Sequence, residues 1–119
     1  MLPVVYHNDY VAPLPDGHRF PMDKFRRIHD VLIRDHVISE AQVHTPQPTH
    51  EAHIGLVHSQ DYISSYVAGT MDRKAMRRIG LPWTEQLVRR TLTAVGGTLL
   101  TAELALKTGV ACNTASRLP

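Results

Sequence analysis

The sequence has little cysteine, few aromatic residues and almost no net charge. Its one cysteine, Cys112, excludes an internal disulfide, and we expect a reducing, cytoplasmic location. Thirteen basic and eleven acidic residues leave a formal charge of only +2. The arginine pairs are spread along the chain, at 26–27, 77–78 and 89–90, rather than gathered. We therefore expect no specific nucleic-acid binding.

Long apolar runs are also absent. No stretch of about 18 apolar residues occurs, so we expect no membrane partner and no membrane-spanning helix. The first ten residues, MLPVVYHNDY, lack the basic region and apolar core of a secretory signal. What the chain does have is an ordinary globular balance, with 43% hydrophobic and 20% charged residues. Its 119 residues fit one domain.

The order of apolar patterns predicts alternating strands and helices. Short apolar runs are typical of strands at three places: 3–6, 41–48 and 110–113. Helical spacing predicts three helices: 22–35, 61–69 capped by Ser59, and 84–107 capped by Thr84. Residues 70–83 are expected to be irregular or to hold one helical turn, and 45–53 to be a loop. This order favours an α/β fold with a parallel sheet.

Gly96 and Gly97 lie inside the last predicted helix. Each costs about 1 kcal/mol of helix stability relative to alanine. That cost is understandable where a second backbone passes very close to the helix. We therefore expect a close backbone contact at these glycines.

Several polar residues could carry chemistry, but none has the required pattern. His50, His53 and His58 have a spacing found in zinc sites, yet no cysteine or carboxylate pattern completes a ligand set. A Ser-His-Asp set can be assembled on paper from Ser59, His58 and Asp61, but adjacent residues cannot form a triad and no nucleophile elbow is present. Cys112 lies in an apolar strand, where a cysteine is expected to be a small core residue. We expect no catalytic and no metal-binding residue among these side chains.

The stretch DGHRFPM, at 16–22, is the strongest candidate for a binding surface. It is a loop that holds His, Arg, Phe and Met directly before an amphipathic helix. Its apolar side chains either pack onto the core or line the rim of a pocket, and the pattern alone leaves both alternatives open.

Four stretches resemble the histone deacetylase family, in particular its class IV-like branch with bacterial stand-alone members. They occur in the family's order: HNDYVAPLPDGHRFPMDKFRR (7–27), LVHSQDYI (56–63), RRIGLPWTEQLVRR (77–90) and AVGGTLLTAELAL (94–106). The resemblance implies the arginase-deacetylase fold, a three-layer α/β domain with a parallel sheet and flanking helices. We expect the N-terminal part of such a domain in residues 1–115, followed by a divergent tail at 116–119.

The resemblance also implies a zinc-dependent hydrolase that removes acyl groups from acyl-lysine or small acylated amines. In the family, the strand matching VACNTA (110–115) leads into a Gly-Gly-x-His-His segment, and the metal ligands come later. Here the match is lost at Ser116. We therefore expect an inactive N-terminal fragment, with zinc held only by the intact family domain. The alternatives are a non-catalytic partner-binding module and, more weakly, a basic domain for nucleic acid.

The site residues implied by the resemblance surround the mouth of a substrate channel. The rim residues are His18, Arg19, Phe20, Pro21 and Met22. In addition, Arg26 would line an inner cavity, and RIGLPW (78–83) would lie near the same opening.

Overall fold

A small parallel sheet organises the protein, which is represented by a computed structural model that describes residues 1–115. Its three strands are β1 (Val4–Val5), β2 (Val43–His44) and β3 (Cys112–Asn113). The strand order is β2-β1-β3, and β1 pairs in parallel with both neighbours. Parallel neighbours must be joined by crossover connections, which here contain the helices. The predicted α/β class is therefore confirmed.

Within the described residues, five α-helices flank the sheet. They are α1 (Lys24–Arg34), α2 (Glu51–Ile54), α3 (Gln60–Ala68), α4 (Arg73–Ile79) and α5 (Glu85–Thr108). Two 3-10 turns, Asn8–Tyr10 and Glu40–Gln42, precede α1 and β2. The 24-residue α5 contacts β1, β3 and the first 3-10 turn. None of the described helices has the length and apolar character to cross a membrane.

Side-chain caps explain where two predicted helices begin, and glycines explain where they end. Ser59 and Thr84 each accept a hydrogen bond from a backbone N–H of the first turn, at 3.2 and 2.9 Å. Gly69 and Gly109 end α3 and α5 with φ of 75° and 91°, which glycine adopts without strain. Both predicted caps are therefore confirmed.

Two segments are more helical than predicted. Residues 70–83 contain the seven-residue α4, because the Asp72 carboxylate accepts from a first-turn N–H at 2.7 Å. Gly80 then ends that helix with φ of 78°. In the same way α2 begins inside the predicted loop 45–53, where Nδ1 of His50 accepts from a backbone N–H at 3.1 Å.

The core lies between the sheet, the segment after β1, α1 and the first half of α5. Its buried members are Val5, Tyr6, Tyr10, Ala12, Met22, Phe25 and Leu87. Both residues of β1 are buried, so the sheet is covered on both faces at its central strand.

The two glycines of α5 allow a close approach. A Cβ on Gly96 would collide with the backbone carbonyl oxygen of Gln47, so the predicted backbone contact is confirmed there. At Gly97 the neighbour is the hydroxyl of Tyr10, a side chain rather than backbone. The glycine pair therefore seats α5 against both the β2–α2 connection and the first 3-10 turn.

The expectation that Cys112 is a core residue is wrong, because its side chain is exposed. β3 is an outer strand that pairs only with β1 within residues 1–115, and nothing described there covers the cysteine. Large apolar side chains are exposed elsewhere too, including Leu56 and Leu106. The radius of gyration is 15.4 Å, against about 13.5 Å expected for a closed domain of this length.

Candidate functional site

The 17–22 loop is held in shape by its own hydrogen bonds. The backbone N–H of His18 donates to the Pro15 carbonyl at 3.1 Å, closing a turn in which Gly17 has φ of 78°. The Phe20 backbone N–H then donates to Nδ1 of His18 at 3.1 Å. Because Nδ1 accepts this hydrogen bond, a neutral His18 ring carries its proton on Nε2. Nε2 itself makes no hydrogen bond within residues 1–115. Nε2 is therefore the nitrogen that can meet a ligand.

The five residues predicted at a channel rim divide between packing and exposure. Met22 is only 4% exposed and belongs to the core, and Phe20 is half-buried against it. Arg19 and Pro21 are exposed, and His18 is half-buried. The two apolar side chains Phe20 and Met22 thus pack onto the core, which is one of the two alternatives that the sequence left open. The role of these residues at a channel mouth stays a prediction.

Three surface hollows meet at His18. The α1 groove, of ≈ 930 Å³, runs along residues 11–18 and one side of α1. The loop hollow, of ≈ 670 Å³, lies between residues 17–21 and Gly80. The α4 hollow, of ≈ 440 Å³, lies between His18, one face of α4 and the turn 80–83. The structure therefore brings the 17–22 loop and the turn 80–83 to one surface, the neighbourhood that the resemblance implies.

The turn 80–83 is anchored to the helices behind it. The indole N–H of Trp83 donates to the Tyr66 carbonyl at 2.6 Å, at the end of α3. Gly69 lies directly against the indole, since a Cβ there would come within 3 Å of the ring. Trp83 is therefore fixed on one side and lines the α4 hollow on the other.

Sequence reasoning missed the face of α4. Arg73, Met76, Arg77 and Gly80 line the α4 hollow, and their spacing of i, i+3, i+4 and i+7 places them on one helical face. The signal was present in the sequence, as an Asp72 cap followed by that spacing. The apolar residues of α4, Ala75, Met76 and Ile79, span little more than one turn, and so short a stripe does not by itself predict a helix of this length.

Lys24 marks the border between two of the hollows, lining both the α1 groove and the loop hollow. Its ammonium lies 5.6 Å from the centre of the Phe20 ring and 5.3 Å from that of Phe25. These cation–π contacts hold the charge beside the loop without neutralising it.

The arginine that packs against the core in residues 1–115 is Arg90, which is half-buried. Arg26, which the resemblance placed at an inner cavity, is exposed on α1. Nε of Arg90 donates to the Tyr10 carbonyl at 3.2 Å, and its guanidinium lies 4.9 Å from the centre of the Phe25 ring. Burial lowers the pKa of Arg90 from its ordinary value. The available signal was its position three residues after Leu87, on the apolar face of α5.

Tyr10 ties the segment after β1 to the carboxyl end of β3. Its hydroxyl donates to Oδ1 of Asn113 at 2.9 Å, and the same oxygen accepts from the Ala115 N–H at 3.1 Å. Burial raises the pKa of Tyr10 to about 12, against the opposing effects of Asn113 and of the Arg90 charge. In α/β folds, ligands bind at the carboxyl ends of the parallel strands. The two hydrogen bonds of Asn113 hold the carboxyl end of β3 in place.

The described residues do not fit a zinc ion. His50 caps α2, Nδ1 of His53 lies 3.1 Å from Oγ1 of Thr49, and His58 stacks on Tyr62. Within residues 1–115, no three His, Cys, Asp or Glu side chains gather closely enough to hold a metal. We therefore derive no chemical step through a metal from these residues.

Comparison with known proteins identifies the family. The histone deacetylase domain matches residues 18–118. An uncharacterized protein of Picosynechococcus sp. is 59% identical over 113 residues, which cover 95% of this chain and 38% of that protein. The chain thus spans well under half the length of this relative. The parallel sheet with its flanking helices is part of a deacetylase-type α/β domain, and the chain belongs to the histone deacetylase family.

Proposed function

We propose that this chain forms the N-terminal part of a zinc-dependent deacetylase-like hydrolase, in which it supplies part of the wall of the substrate channel. The substrate class is an acylated lysine or a related small acylated amine. Membership of the family supports this proposal. The observation that carries it is the meeting of three hollows at His18, between the 17–22 loop and the turn 80–83.

The wall residues would bind and orient the substrate. The rings of Phe20 and Trp83 offer apolar surface to the methylene stem of an acylated lysine, and Nε2 of His18 can donate a hydrogen bond to a substrate carbonyl. In the intact family domain, a bound zinc would supply Lewis-acid chemistry at the acyl carbonyl. The part of this chain would be to hold the amide in one orientation, which lowers the entropic cost of its reaction.

The test compares acyl release by two proteins. We expect the longer Picosynechococcus protein to release acyl groups from acyl-lysine peptides or small acylated amines, and a chelator to abolish that release. We expect this 119-residue chain to show no chelator-sensitive release, because its described residues gather no ligand set. Chelator-sensitive turnover by the chain would contradict its inactivity. No turnover by the relative on any acylated amine would contradict the proposed hydrolase function.

The second candidate is a non-catalytic partner-binding module, which the surface hollows around His18 favour. A module of this kind is expected to be monomeric and to melt cooperatively. The fragment proposal predicts association instead of a monomer, because exposed apolar side chains and the outer strands of the sheet in residues 1–115 favour contact between chains. Thermal melting combined with size-exclusion chromatography decides between them, and a cooperative melt by a monomer would contradict the fragment proposal.

A further inference from the structure

We propose that the surface around His18 selects acylated lysines that lie within acidic peptide sequences. The cationic side chains that line the three hollows would bind carboxylates flanking the acylated residue. This inference rests on the proposed function, and it adds the charge of the preferred substrate to that function.

The positive charge of the protein is concentrated around the three hollows. Five strongly basic side chains line them: Arg19, Lys24, Arg27, Arg73 and Arg77. Two carboxylates, Asp16 and Asp23, line only the α1 groove, and none lines the loop hollow or the α4 hollow. The local excess of three positive charges is larger than the +2 of the whole chain. The rest of the protein is therefore close to neutral, and the positive charge lies around the three hollows.

These basic side chains are not neutralised within the described protein. The ion pairs found in residues 1–115 are His7–Asp9, His29–Asp30 and Arg34–Asp35, and none includes a side chain that lines the hollows. Lys24 contacts two aromatic rings, which stabilise a cation without cancelling its charge. The charges therefore remain available to an anionic ligand.

The spacing on α4 suits carboxylates on an extended peptide. Arg73 and Arg77 lie one turn apart on the face that lines the α4 hollow, so their Cα atoms are separated by about 6 Å along the helix axis. Alternate residues of an extended peptide are separated by about 6.5 Å and point to the same side. Two acidic residues at alternate positions can therefore each meet one guanidinium, which binds carboxylates in a bidentate manner.

Binding in the α4 hollow can be followed by the intrinsic fluorescence of the protein. Trp83 is the single tryptophan, and it lines the α4 hollow beside the two arginines. A peptide bound there changes the surroundings of the indole, so its fluorescence can be titrated without a label. Arg78 provides a matched control, because it lies on α4 beside Arg77 but does not line any of the three hollows.

The first experiment titrates the full chain with four peptides at an ionic strength of about 0.15 M, where the Debye length is about 8 Å. The peptides carry glutamate or glutamine at the flanking positions, and acetyl-lysine or alanine at the centre. We expect the acidic acetyl-lysine peptide to bind about tenfold tighter than its neutral counterpart, as two charge-assisted contacts allow. Equal or weaker binding of the acidic peptides would overturn the inference.

The second experiment changes one charge at a time. Arg77→Glu should weaken binding of the acidic peptide about fivefold or more and leave the neutral peptide unchanged. Arg78→Glu makes the same change in net charge on the same helix, and screening should keep its effect below about twofold. Equal losses in the two variants would show a general charge effect and would overturn the proposed docking surface.

The peptide design separates this inference from the proposed function. Dependence on acidic flanks without dependence on acetyl-lysine would contradict the proposed function, whereas the reverse pattern would overturn only the inference. Tighter binding of single-stranded DNA than of the acidic peptide would also overturn it.

If the chain alone does not stay folded, the longer Picosynechococcus protein carrying residues 1–115 of this chain serves instead. There, Arg77→Glu should raise KM for acidic substrates with kcat unchanged, and an unchanged KM would count against the inference.

Discussion

Tyr10 is the residue whose burial has the clearest consequence for the behaviour of the protein with pH. A tyrosine in an unfolded chain ionises near pH 10, whereas burial raises the pKa of Tyr10 to about 12. Between these values the unfolded chain releases the proton and the folded chain keeps it. The contribution of Tyr10 to the free energy of unfolding should therefore be constant below about pH 9 and fall by about 2–3 kcal/mol as the pH rises from about 10 to about 12.

Denaturant unfolding followed by Trp83 fluorescence at a series of pH values measures this fall. Tyr10→Phe removes the ionising group, so the fall should become shallower. Some dependence should persist, because burial also raises the pKa of Tyr66. A parallel titration of phenolate absorbance should lose its latest-ionising component in the variant. An unchanged alkaline profile in Tyr10→Phe would contradict the assignment.

The arginines show what a sequence can and cannot predict for a single residue. Hydropathy treats Arg26 and Arg90 alike, because both are charged side chains on amphipathic helices. Only the packing of α5 against the Phe25 ring and the Tyr10 carbonyl makes Arg90 half-buried while Arg26 is exposed. The loop that contains His18 was predictable as a candidate surface, since its residue types are unusual for a solvated loop.

At the scale of elements, Gly96 sets how closely α5 approaches the segment after β2. Gly96→Ala should destabilise the protein by about 1–3 kcal/mol, because the new Cβ would overlap the Gln47 carbonyl oxygen. That loss should appear even though alanine favours an isolated helix by about 1 kcal/mol relative to glycine. The shift in the midpoint of urea unfolding measures the effect.

Gly55→Ala is the matched control. Gly55 has φ of −62°, and the atom nearest to an added Cβ is the Ala52 carbonyl oxygen at 3.4 Å, an ordinary contact. Its replacement should be neutral or stabilise by about 0.5–1 kcal/mol. A stability loss at Gly55 as large as that at Gly96 would mean that the close approach is not the cause.

Helices with side-chain caps and apolar stripes were predictable, whereas short strands were not bounded correctly. α5 has Thr84 at its start and Gly109 after its end, and both signals are local. The second strand was predicted over 41–48 but covers only Val43–His44, because a 3-10 turn occupies the residues before it. α4 was predicted as no more than one helical turn, because its apolar stripe of Ala75, Met76 and Ile79 is short and the helix also depends on the Asp72 cap.

At the scale of the whole molecule, burial is concentrated at one place and apolar surface remains open elsewhere. The central strand is covered on both faces, while the outer strand leaves Cys112 exposed. In the second half of α5, Leu100 and Leu104 pack against the core cluster, whereas Leu99 and Leu106 are exposed. The fold class follows from the alternation of elements, but this uneven burial depends on which surfaces meet in space and has no signal in the sequence.

The exposed leucines of α5 should bind hydrophobic dyes without contributing to stability. Leu99 is 44% exposed and Leu106 is 87% exposed, and their spacing of seven residues places them on one helical face. The double replacement Leu99→Glu with Leu106→Glu should lower dye fluorescence and change stability by less than about 1 kcal/mol. Leu87→Glu, at a position only 2% exposed, should instead abolish helical circular dichroism, because it buries an unpaired charge. If the double variant also loses its helical signal, those leucines are covered in solution and the exposed face of α5 is an interface.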